Sequence, residues 1–199
     1  MFLNKDCAAM MRVMKKIYKK KMKEWNADFG NRRLAVETCF IRNIYNDVVF
    51  LTKIPLKVKN EKYFYLILRN CFEHVIIFRF LVEKSKTDPS IFNDYMGDNI
   101  DFNSVLNSDD EFKALKELGG KRTTKYTNKF YDMAKVFENV DSDTSLYKYY
   151  GMLADSCHNS YYHDIKKIIV KEKKCDRKNI LVLILVLLTE FYQGFDGEC

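Results

Sequence analysis

The chain has 199 residues, is 47% hydrophobic and 31% charged, and carries a net charge of +7 with a pI near 8.9. That length suits one domain with a real core, and the composition is that of a folded soluble protein. The basic surplus favours polyanionic partners, and the scarcity of breakers (seven Gly, two Pro) beside fifteen Phe and thirteen Tyr argues for helices over many short strands.

In chain order, residues 6–26 read as an amphipathic helix. Met10, Met11, Met14, Ile17, Tyr18, Met22 and Trp25 recur at helical spacing, with a lysine cluster, 15, 16, 19, 20, 21 and 23, set opposite them. A turn at Asp28-Phe29-Gly30-Asn31 leads to a second helix, 32–52, which Pro55 stops. The third helix spans 61–84. Residues 86–108 are polar and broken, a candidate irregular insertion holding short helical turns. Further helices are expected at 108–118, 125–138, 144–156, 161–172 and 178–194, with Asp176 capping the last. Gly119-Gly120 precedes Lys121, but the first glycine of a phosphate loop is missing. The expected architecture is all-α, one domain over 1–199, a bundle of seven to eight helices around the apolar third one.

Cys7, Cys39, Cys71, Cys157, Cys175 and Cys199 form no CxxC pair, and the N-terminus has no apolar signal region. Reduced thiols and a cytoplasmic location follow as expectations. The longest uninterrupted apolar run, 180–188, is too short to cross a bilayer. Residues 63–82 are long enough but carry five strongly polar side chains, so no membrane association is expected.

That third helix holds the feature that bears on function. Fifteen of the twenty residues in 63–82 are apolar or aromatic, on every side of the helix, which predicts a buried helix. In its middle stand Arg69, Asn70, Glu73 and His74. Polar groups buried together must satisfy one another or form a site. Arg69 and Glu73 share one face, Asn70 and His74 the next, and about 140° of rotation separates Arg69 from His74. As pure structure, Arg69–Glu73 is an adequate ion pair and His74 an adequate core histidine. A metal site would need Glu-x-x-His pairs on two helices, and there are none, so no metal is expected.

Arg-Asn-x-x-x-His at 69–74 resembles the active-site motif of the HEPN ribonucleases (higher eukaryotes and prokaryotes nucleotide-binding domain), which are all-helical and bundle-shaped. The stretch around Tyr150, Ser156, His158 and Ser160 also resembles, with Arg69 and Glu73, a group of bacterial helical proteins that pair an Arg-x-x-x-Glu helix with a later Ser- and His-bearing one. The first resemblance implies a metal-independent, cofactor-free endoribonuclease that leaves 2′,3′-cyclic phosphate ends. It would be a homodimer acting as a toxin or anti-phage effector, with an antitoxin or defence-system partner. His74 would be the general base or acid, because an imidazole titrates near pH 6.5. Arg69 would hold the scissile phosphate. Asn70 would orient the phosphate or the imidazole, and Glu73 would fix Arg69 or the imidazole. Tyr150, His158, Ser160 and His163 would lie behind these or touch substrate. Apart from the resemblance, Lys15, Lys16, Lys19, Lys20 and Lys23 on the basic first helix would track RNA phosphates or else form a solvated outer face. The other class of protein open to this sequence is a non-catalytic helical module that binds a partner protein or nucleotide. In an enzyme, Arg69 and His74 would line an opening that water reaches; in a structural module they would be sealed in the core.

Overall fold

Three helices begin where an Asn or Asp side chain satisfies a free backbone N–H of the first turn. Asn4 Oδ1 accepts from the Cys7 N–H at 2.8 Å, Asn31 Oδ1 from Leu34 at 3.1 Å, and Asp176 Oδ1 from Asn179 at 3.0 Å. The computed structural model describes residues 3–99, 146–158 and 176–195, with single positions at 133, 134, 136, 168 and 169. Among these residues there are six α-helices and no strand: α1 (Lys5–Ala27), α2 (Arg32–Leu51), α3 (Glu61–Lys84), α4 (Ile91–Asn99), α5 (Leu146–His158) and α6 (Arg177–Gln193). A 3-10 turn at Val58–Asn60 precedes α3. The helices expected at 108–118, 125–138 and 161–172 lie outside the described residues, apart from those single positions.

The packing follows the apolar faces. α1 lies on α2 and α6, while α3 packs against α2, α4, α5 and α6. Met14, Ile41, Ile44, Phe64, Leu68 and Phe72 are among the fully buried side chains between them. Phe78 of α3 joins three elements: its ring centroid is 5.5 Å from Phe40 of α2 and 4.9 Å from both Phe191 and Phe195 at the end of α6. The chain passes this ring closely at Gly194, where an added Cβ would sit 2.7 Å from Phe78 Cε1. Glu61, buried at the start of α3, accepts from the Tyr65 hydroxyl and from the backbone N–H of Asp176, each at 3.2 Å. That carboxylate ties the first turn of α3 to the cap of α6.

Three features depart from what the sequence pattern suggested. Lys21 belongs to the lysine cluster of α1, yet it is only 2% exposed. It shares the face of Met14 and Ile17, and its Nζ lies 2.7 Å from Oε2 of Glu37, itself 1% exposed. Arg33 Nε donates to the other oxygen of Glu37 at 2.7 Å, and the Lys21 ammonium stands 5.8 Å from the Phe195 ring centroid. Second, residues 91–99 within the polar stretch form a helix, held down by Ile91 and Phe92 in the core and by Tyr95 against Phe40. Third, α3 is not buried on every side. Tyr63 and Leu66 are 49% and 51% exposed, and Asn70 is exposed above them. Being apolar placed them in the core pattern, but this stripe of α3 lies between the edges that α2 and α5 cover.

Two measurements check this packing. Glu37→Gln leaves the buried Lys21 ammonium without its full counter-charge, so denaturant unfolding should show a loss of about 3–5 kcal/mol. Lys21→Met combined with Glu37→Leu should recover most of it. Gly194→Ala drives a methyl into the Phe78 ring and should cost about 1–3 kcal/mol by the same assay.

Candidate functional site

On α3, the side chains of 69–74 point to two different neighbours. Arg69 faces α5: its Nη2 donates to the Tyr150 hydroxyl at 2.9 Å, and its guanidinium carbon lies 5.2 Å from the Tyr150 ring centroid. Phe72 stacks on Tyr149 of the same helix, with centroids 5.7 Å apart. His74 faces α2, edge-on to Phe40 at 5.8 Å. Beside it, the Cys71 thiol donates toward Asp47 Oδ2 at 3.6 Å. The 140° offset expected from an ideal helix is therefore kept. Arg69 and His74 stand on opposite edges of one strip, with Asn70 exposed between them and Leu66 one turn below.

The environment sets the charge states. Burial opposes the Arg69 cation, but the Tyr150 hydroxyl, Glu73 and Cys157 outweigh it and hold its pKa above the ordinary value. Glu73 is half-buried, and burial raises its pKa, partly offset by Arg69 and the Tyr150 hydroxyl. None of the described ion pairs joins Arg69 to Glu73, so the direct pair expected from their spacing is replaced by one running through Tyr150. Burial pushes the His74 imidazole below its usual pKa, and nearby Asp47 only partly reverses this. Its Nδ1 is buried with no hydrogen-bond partner among the described residues, as is Arg69 Nε. Protonating that nitrogen would place an N–H in apolar surroundings. The Cys71 thiol is pushed well up by burial and then by Asp47, which makes it a poor nucleophile.

At neutral pH the strip thus offers a permanent cation on its α5 edge, an exposed amide in its middle and a neutral imidazole on its α2 edge. A cation that binds phosphate and an imidazole that accepts a proton are the groups phosphodiester cleavage needs. Tyr150 touches the site directly. His158 ends α5, but its side chain, like Ser160 and His163, lies outside the described residues. Lys15, Lys16, Lys19, Lys20 and Lys23 are exposed on α1, which packs on α2 and α6 and so lies away from α5. Asp47 and Phe40 are the neighbours that sequence reading did not assign to this site. Only the tertiary packing of α2 on α3 reveals them. Among the described residues no group of three or more His, Cys, Asp or Glu could hold a metal ion, and no described helix is long and apolar enough to cross a membrane. No protein-family model matches the chain, and no curated protein or solved structure resembles it significantly.

The lowered pKa of His74 has a sign that can be measured. In the unfolded chain a histidine takes up its proton near pH 6.5, whereas native His74 resists it. The native state then binds fewer protons, so its stability should fall as pH drops through about 6.5. Glu73, whose pKa burial raises, works in the opposite direction. Urea midpoints at about pH 7.5 and 5.5 should show this fall, and His74→Gln should reduce it.

Proposed function

We propose that this protein is a HEPN-like, metal-independent endoribonuclease whose site is the 69–74 strip of α3. Over the whole chain we infer a bundle of seven to eight helices around α3. The observation that carries the functional reading is partial exposure: Asn70 is exposed and Arg69, Glu73 and His74 are partly so along the open side of α3, where a bound strand could reach them. His74, neutral at physiological pH, would take the proton of a ribose 2′-hydroxyl. That oxygen would attack the adjacent phosphorus, breaking its bond to the 5′-oxygen of the next nucleotide, which would leave as a 5′-hydroxyl on taking a proton from water, and a 2′,3′-cyclic phosphate would remain. Arg69 would stabilise the charge on the phosphoryl oxygens. Because Arg69 and His74 occupy opposite edges, two strips facing each other in a homodimer would bring an arginine of one copy near a histidine of the other. The exposed Tyr63 and Leu66 would supply apolar surface for that contact. A cytoplasmic toxin or anti-phage effector, restrained by an antitoxin or another defence component, is the role that suits such an activity.

The rival reading, a non-catalytic module for a partner protein or nucleotide, draws on a different observation: Arg69 is already engaged by Tyr150, and His74 by Phe40. Purified protein incubated with labelled RNA in EDTA separates the two. The wild type should cleave, with Arg69→Ala and His74→Ala slower by about 10²–10⁴-fold. Equal cleavage by all three, or none by the wild type under several conditions, would reject the nuclease.

A further inference from the structure

One face of α1 carries seven positive charges, as many as the net charge of the chain. Lys5, Arg12, Lys15, Lys16, Lys19, Lys20 and Lys23 are all exposed on α1. At about 100° and 1.5 Å per residue they fall within an arc of about 140° and a length of about 27 Å. The other residues of that arc are Ala8, Ala9, Asn26 and Ala27, while Asp6 and Glu24 lie about 40° beyond its edge. Removing these seven from the chain's 34 Lys and Arg leaves 27, equal to its 27 Asp and Glu.

The opposite face of α1, with Cys7, Met11, Met14 and Ile17, is buried against the bundle. An amphipathic helix settles on a bilayer by inserting its apolar face, and here that face is occupied. The cationic arc also carries no aromatic side chain on which a base could stack, the feature that single-strand platforms rely on. What it matches is a dense, regular row of phosphates. A duplex presents one charge per about 1.7 Å of axis, twice the density of either strand alone.

We propose that the outer face of α1 docks on the phosphate backbone of double-helical nucleic acid, without reading its sequence. This docking does not depend on the ribonuclease reading, since the rail lies away from α5 and from Arg69.

Fluorescence anisotropy with a labelled short duplex, between about 50 and 200 mM salt, tests it. Log affinity should fall linearly with log salt. Lys19→Gln should reduce the slope by about 0.9, and Lys15→Gln/Lys19→Gln/Lys23→Gln by about three times that. The control Lys53→Gln/Lys57→Gln/Lys59→Gln, also on exposed lysines, should leave the slope unchanged. Circular dichroism should show both triple variants as helical as the wild type. Equal losses from the two triples would overturn the proposal, because total charge and not the rail would then govern binding. Tighter binding to a single strand of equal length would also overturn it, as would displacement of the duplex by anionic lipid vesicles.

Discussion

The Phe78 ring is the constraint around which the bundle is arranged. It meets Phe40 from α2 and both Phe191 and Phe195 from the end of α6, so one side chain fixes the separation of three helices. Aromatic contacts of this kind add to what burial alone contributes. The ring also dictates what can pass it, and only a residue without a Cβ fits at 194. Phe195 extends the same cluster to α1 through the Lys21 ammonium, whose counter-charge on Glu37 leads back to α2. The four helices are thus closed into one circuit, in which apolar contact and a buried ion pair alternate.

That circuit fixes the geometry of the candidate site. With α2 held against one side of α3 and α5 packed on the other, the residues of 69–74 divide between two walls. Arg69 is taken by Tyr150, and His74 is turned toward Phe40 and Asp47. A helix with 3.6 residues per turn cannot bring positions five apart to one point. Any chemistry that uses both groups must therefore be completed by a substrate spanning the strip or by a second strip.

Much of the fold was legible in the sequence for local reasons. The spacing of Met11, Met14 and Ile17, the turn ending at Asn31, the cap at Asp176 and the stop at Pro55 act within a turn or two of their own helix. What escaped was decided at long range. Lys21 reads as one more surface lysine until Glu37 is seen opposite it. Tyr63 and Leu66 read as core because apolar character says that a side can be buried, not that a neighbour exists to bury it. In the candidate site, Tyr150 was legible through a motif, whereas Asp47 was not: an aspartate on a charged helix gives no hint that it faces His74 and Cys71.

The clasp of α6 on Phe78 also orders events in time. Cys7 of α1 reaches across to the Leu181 carbonyl, a partner 174 positions later in the chain. On the ribosome, α1, α2 and α3 emerge before α6, and their apolar faces have nothing from α6 to pack against until the chain has been made through Arg177–Gln193. Contacts of such long sequence separation close late, after their loop entropy has been overcome. The nascent chain therefore passes through a stage with the Phe78 pocket open to water, exposed surface of the kind that chaperones bind.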